Sequence, residues 1–216
     1  MREKDAVSRE YFSDPYHFAQ ICNNALFKGK KLIQPEKLTE LDPEELKNMG
    51  IKRGKVKSLR KSRDLLKLYD SELFIAVLGI ENQSDLHYGM PLKNLLYDAL
   101  NYESQRCKLL KEHRIKGDLN KAEYISGFGK EDRLIPVITL VIYYGDEPWT
   151  GGKTLHDILD IPEGLKEYED LIADYRINLL EIRAMENLDQ YEGELKALLG
   201  FVKYKRDKEG LKACVK

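Results

Sequence analysis

Two carboxylates stand where the surrounding pattern calls for none. Asp64 precedes the run LLKLY at 65–69, and Glu81 lies near the end of the apolar stretch ELFIAVLGIENQ at 72–83. Ser58 to Tyr69 and Glu72 to Gln83 are predicted as antiparallel strands joined by a tight turn at Asp70-Ser71. Strand side chains alternate between faces, so Glu81 and Gln83 project from one side, continued back through Gly79, Val77 and Ile75. Asp64 shares its face with Leu66 and Leu68. Neighbouring strands lie roughly 4.8 Å apart, so the two carboxylates can reach one divalent ion with oxygen ligands at about 2.1 Å. Such an ion leaves room for water and a phosphate oxygen, acidifies the water and neutralises charge developing on the phosphate. The plain alternative is a pair of exposed strand-end acids, each facing a Lys or Arg, and spacing alone leaves both readings open.

Charge is unevenly spread around these acids. Lys52, Arg53, Lys55, Lys57, Arg60, Lys61, Arg63 and Lys67 crowd into sixteen residues with Asp64 as the one acid among them. Such a run is a solvated face or a set of phosphate contacts. From His156 to Glu194 the balance reverses.

The elements that must position the acids follow from periodicity. A helix is predicted from about Asp14 to Phe27, with Pro15 in its first turn and Asp14 as a natural N-cap. KKLIQPEKL reads as a short strand, and LDPEEL as a turn capped by Asp42. Pro91 to Arg114 is a helix with Leu92, Leu95, Leu96, Ala99, Leu100, Leu109 and Leu110 on one side. Residues 116–130, with Gly117, Gly127 and Gly129, read as a loop. LIPVITLVIYY at 134–144 has the unbroken apolar pattern of a central strand buried on both faces. A short helix is predicted over 153–159, a strand over 177–182 and a helix over 189–205. Strands and helices interleave, so the fold class is α/β or α+β.

The composition sets the frame. The chain has 216 residues, 42% hydrophobic and 34% charged, enough for a core and a solvated surface. Lys and Arg number 36 against 37 Asp and Glu, a net charge of −1 that gives no global nucleic-acid signature. Cys22, Cys107 and Cys214 are too scattered for a disulfide framework or a zinc site, which points to a reducing compartment. MREKDAVSREYF lacks the apolar segment of a signal peptide, and the longest apolar run is about half of a membrane span of roughly 20 residues. A soluble, cytoplasmic protein that does not engage a membrane is expected. The four histidines show no ligand spacing. Gly151-Gly152-Lys153-Thr154 invites a phosphate-loop reading, but Glu147 stands where that motif needs its first glycine.

The blocks RDLLKLYDSELFIAVLGIENQSDLHYGMPLKNLLYDALNYESQ and RLIPVITLVIYYGDEPWTGGKTLHDIL, with the opening KDAVSREYFSDPYHFAQICNNALFKGKKLIQPEKL, resemble the Rpn-type recombination-promoting nucleases and putative transposases. These are a branch of the PD-(D/E)XK nuclease superfamily, and the resemblance spans about residues 5 to 160. It implies a restriction-endonuclease-like mixed sheet of αβββαβ type flanked by helices. It also implies a nuclease-like domain over 1–160, with 161–216 as an extension packed on it. Similar proteins continue through further helical sequence beyond the point where this chain stops.

Carried over by position, Asp64 matches the superfamily's first acid, and Glu81-Asn82-Gln83 its (D/E)-X-K element. Asp64, Glu81 and the backbone carbonyl of Asn82 are then the implied ligands of Mg²⁺, with Mn²⁺ as a substitute. Gln83 stands where lysine is usual, as it does in this branch. An amide is neither base nor cation, so Gln83 is left to position a water by hydrogen bonding. Lys93, near the start of the next helix, is a replacement cation or plain surface. The implied phosphate contacts are Lys55, Lys57, Arg60, Lys61, Arg63 and Lys93. Gln105, Glu10 and Asp14 are weaker candidates for the site. The expected partner is DNA, and cutting both strands calls for a symmetric dimer. The same fold with a decayed metal site, serving as a binding module, is the alternative, and a nuclease-fold component acting on RNA is a third reading.

Overall fold

A computed structural model describes residues 3–41, 64–72 and 75–214. The predicted turn LDPEEL, apart from Leu41, lies outside the described residues, as do residues 58–63 of the first predicted strand. The helices α1 (Glu3–Ser13) and α2 (Pro15–Ala25) are separated at Asp14. The Asp14 carboxylate accepts from the backbone N–H groups of Tyr16 at 2.8 Å and His17 at 3.3 Å, and Pro15 fills the first helical position. After a short 3₁₀ turn at Pro35–Lys37 come β1 (Leu38–Glu40), β2 (Leu65–Asp70) and β3 (Ile75–Gln83), then the long helix α3 (Met90–Lys116). The short α4 (Lys121–Ser126) follows, then β4 (Val137–Tyr143), β5 (Asn178–Glu181), α5 (Gly193–Tyr204) and α6 (Lys208–Cys214).

The five strands form one mixed sheet in sequence order. β1, β2 and β3 are antiparallel, whereas β3, β4 and β5 are parallel. The antiparallel hairpin of β2 and β3 has Leu65 opposite Ile80 and Asp70 opposite Ile75. A parallel neighbour requires a crossover, and α3 supplies it. β4 is the buried strand its composition demands, with Leu140 to Tyr143 all inaccessible.

Each face of the sheet has its own layer. Ala76, Leu78 and Ile80 of β3, with Leu140 and Ile142 of β4, pack on Phe18, Ile21 and Cys22 of α2 and on Leu195 and Leu199 of α5. The odd-numbered residues of β3 face the other way, toward α3. There the apolar cluster is small: Met90, Val141, Tyr143, Trp149 and Ile177.

Helix α3 corrects the sequence reading. Its buried residues are Met90, Pro91, Asn94, Asp98, Asn101 and Ser104, while Leu92 is 57% exposed and Leu96 39%. The predicted leucine face is not the buried one: Leu95, Leu100, Leu109 and Leu110 are half-buried, and the sheet beneath α3 offers polar partners instead. Asp98 accepts from the Thr139 hydroxyl at 3.0 Å and from the Tyr175 hydroxyl at 2.5 Å. The Tyr102 hydroxyl accepts from the backbone N–H of Val137 at 3.1 Å.

Two smaller corrections are local. The predicted loop at 116–130 contains α4, because Asn120 and Glu123 form a reciprocal capping box. The predicted helix at 153–159 is a single 3₁₀ turn at His156–Ile158, since the Asp157 carboxylate takes the backbone N–H groups of Lys153 and Thr154 at 2.7 and 2.8 Å. That also argues against Gly151-Gly152-Lys153-Thr154 as an anion site, because two of its backbone donors are spent on an internal carboxylate. No helix among the described residues is long and apolar enough to cross a membrane.

Candidate active site

Asp64 and Glu81 meet at adjoining ends of β2 and β3. Extending the register one step past Leu65 and Ile80 sets Asp64 opposite Glu81 on the α3 side of the sheet. Val77 donates its N–H to the Pro136 carbonyl at 2.9 Å, so odd residues of β3 bond toward β4 and even residues toward β2. Asn82 therefore directs its N–H and its carbonyl past the end of β2. The Asp64 carboxylate takes that N–H at 2.8 Å. The first acid is thus fixed to the backbone of the second, and the Asn82 carbonyl points to the same side.

Glu81 is 1% exposed, and its Oε2 accepts from Lys93 Nζ at 2.7 Å. Lys93 comes from the first turn of α3, and its side chain is 20% exposed. A lysine there works against the helix dipole, so the carboxylate accounts for its placement. Its ammonium also lies 5.9 Å from the centroid of the Tyr97 ring. Gln83 shares the face of Glu81 and is half-buried opposite Tyr143.

The other sequence candidates fall elsewhere. Lys55, Lys57, Arg60, Lys61 and Arg63 lie outside the described residues. Lys67, from the same basic run, is buried and donates to the Ser13 carbonyl at 2.8 Å. Glu10 is exposed on α1, and Asp14 is the N-cap of α2. Both helices pack on the face of the sheet opposite Glu81, so the structure does not bring these acids to the site. Gln105 is a clamp: its Oε1 accepts from Ile135 N at 2.7 Å, and its Nε2 donates to the Ile135 carbonyl at 3.0 Å and to Asn101 Oδ1 at 2.8 Å. It stands twelve residues beyond Lys93, about 18 Å along the helix.

Two of the four histidines are likewise accounted for. His113 bridges Asp132 and Asp118, whose carboxylates raise its pKa. His156 is raised by its bond to the Ile172 carbonyl and then by Glu169. A cavity of about 970 Å³ lies between α1, α5 and the loop after β4, lined by Phe12, Ile142 and Leu199 on the face away from Glu81.

One residue at the site escaped the sequence reading. Asp98 sits over Thr139, Tyr102 over Val137 and Gln105 over Ile135, so α3 runs antiparallel to β4. One turn before Asp98, Asn94 then lies over Val141, the register partner of Glu81. Asn94 is wholly inaccessible, and neither atom of its side-chain amide has a hydrogen-bond partner among the described residues. The signal was present, since 94, 98, 101 and 105 repeat at helical spacing, but polar periodicity is easily passed over beside a leucine stripe. An unpartnered buried amide costs about 1–3 kcal/mol. Asn94→Leu is accordingly expected to raise unfolding free energy by about 1 kcal/mol in urea melts, and a loss of that size would show that Asn94 is bonded in solution.

The donor set suits a hard divalent ion. Two carboxylates and a backbone carbonyl converge from two strand ends, all oxygen. No group of three or more His, Cys, Asp or Glu side chains able to hold a metal occurs among the described residues. Two carboxylates and one carbonyl are few protein ligands, a set that would suit an ion keeping several waters, as Mg²⁺ does. Comparison of the chain with protein-family models, curated proteins and solved structures finds no match.

Proposed function

We propose that the chain is a metal-dependent endonuclease of the restriction-endonuclease-like fold, hydrolysing DNA phosphodiesters as the Rpn-type nucleases it resembles do, in recombination or the movement of mobile elements. The observation that carries this reading is the convergence of Asp64 and Glu81 at adjoining strand ends, with Lys93 Nζ 2.7 Å from Glu81. The order of elements, helices followed by three antiparallel strands, a crossover helix and a parallel strand, supports it.

Asp64, Glu81 and the Asn82 carbonyl would hold Mg²⁺ or Mn²⁺. When bound, the ion supplies neutralisation of phosphate charge and acidifies water. Asp64 is oriented for this by the Asn82 N–H, and Glu81 is held in place by burial. Gln83, with both a donor and an acceptor, positions the attacking water without taking its proton. Lys93 supplies the positive charge that the usual lysine would bring, reaching the scissile phosphate from α3. The basic residues Lys55, Lys57, Arg60, Lys61 and Arg63 hold the DNA backbone, and a symmetric dimer provides the second cut.

The Lys93–Glu81 pair also favours a second reading, a non-catalytic DNA-binding module, because a lysine already satisfies one of the two acids. Supercoiled-plasmid cleavage separates the two. Nicking is expected with Mg²⁺ or Mn²⁺, none with EDTA, and none from Asp64→Ala under any of these conditions. Equal background from wild type and Asp64→Ala would overturn the nuclease reading in favour of the module.

A further inference from the structure

We infer that Lys93 is the resident counter-ion of the metal site: its ammonium occupies Glu81 until a divalent cation displaces it. This rests on the proposed metal site and says how that site is held between turnovers. Glu81 is inaccessible, and the Lys93 ammonium lies 2.7 Å from its Oε2, a distance suited to a charge-assisted hydrogen bond. A cation taking Glu81 as a ligand must contend with that ammonium. Lys93 has somewhere to go: its side chain reaches the surface, and the Tyr97 ring, one turn along α3, already lies 5.9 Å from the ammonium. The displaced charge then stands at the rim where a phosphate would arrive. The pair thus keeps two neighbouring carboxylates, Asp64 and Glu81, tolerable in the metal-free protein and turns metal entry into the release of a cation for substrate.

The consequence is a pair of effects with opposite signs. Lys93→Met removes the ammonium that competes for Glu81, so calorimetric Mn²⁺ binding to the full chain is expected to tighten about tenfold. Plasmid nicking by the same variant is expected to fall about tenfold or more, because the phosphate loses its cation. The double variant Glu81→Gln/Lys93→Met, which buries no uncompensated charge, controls for folding and is expected to bind Mn²⁺ no better than wild type. A measurement on the wild type needs no variant: the ¹H–¹⁵N signal of the Lys93 ammonium is expected to shift or vanish as Mg²⁺ is titrated in.

Tighter Mn²⁺ binding without any nicking by the wild type would keep the counter-ion role and remove the nuclease. Nicking by the wild type, with unchanged Mn²⁺ affinity in Lys93→Met and an unmoved ammonium signal at saturating Mg²⁺, would remove the counter-ion role and keep the nuclease. Failure of wild type and Lys93→Met alike to bind Mn²⁺ would overturn the inference.

Discussion

Glu81→Gln is expected to lower Mg²⁺-dependent plasmid nicking by about a hundred- to a thousandfold while leaving the fold intact. The amide has the shape of the acid it replaces, and its oxygen still accepts from Lys93, so the buried contact at 2.7 Å survives. What disappears is the negative charge, and with it a ligand for a hard divalent ion. Glu81→Ala confuses the result, because it strands the Lys93 ammonium beside an empty site and mixes folding with chemistry. Initial nicking rates at fixed Mg²⁺, beside circular-dichroism melts, separate the two. An unchanged rate for Glu81→Gln would show that the charge of Glu81 takes no part in catalysis.

Lys67→Ala is expected to cost about 3 kcal/mol of stability, a large share of what holds a domain of this size. Lys67 is 3% exposed, and its ammonium donates to the carbonyl of Ser13, the last residue of α1. That helix has no basic residue in its own last turn, so Lys67 supplies from β2 the cation its negative end lacks. The ammonium also lies 5.5 Å from the Phe18 ring centroid, tying α2 to the same point. Lys67→Met keeps the packing of the stem and loses the charge, so roughly half of the cost is expected. Urea melts of both variants measure it. Equal and negligible losses would mean that α1 is held by its apolar contacts alone.

The strands around the site were legible because strand alternation is a local property. The segment from Ile75 to Gln83 announces its apolar run, and Asp64 and Glu81 stand out from their faces without reference to the rest of the chain. The N-cap at Asp14 and the buried β4 are local in the same sense. What escaped depends on distant partners. Lys67 looks like one more member of a basic run, and only its bond to Ser13, 54 positions earlier, makes it internal. Helix α3 looks like a leucine-faced core helix, and only Thr139, Tyr175 and the Ile135 backbone explain why Asp98 and Gln105 point inward instead. Lys93 could be read as surface or as site, and the contact with Glu81 places it beside the second acid.

That inward-facing polarity gives the two faces of the sheet different responses to temperature. Exposing apolar surface raises the heat capacity, and exposing polar surface lowers it. The layer built from Phe18, Ile21, Leu195 and Leu199 therefore carries the large positive heat-capacity change of an oily interface, and its grip weakens on cooling. The seam between α3 and β4 exposes amides, hydroxyls and a carboxylate beside the small cluster of Met90 and Val141 when it opens, so its heat-capacity change is smaller and its hold varies less with temperature. The seam that positions Lys93 over Glu81 is thus less sensitive to cold than the layer on the other face of the sheet.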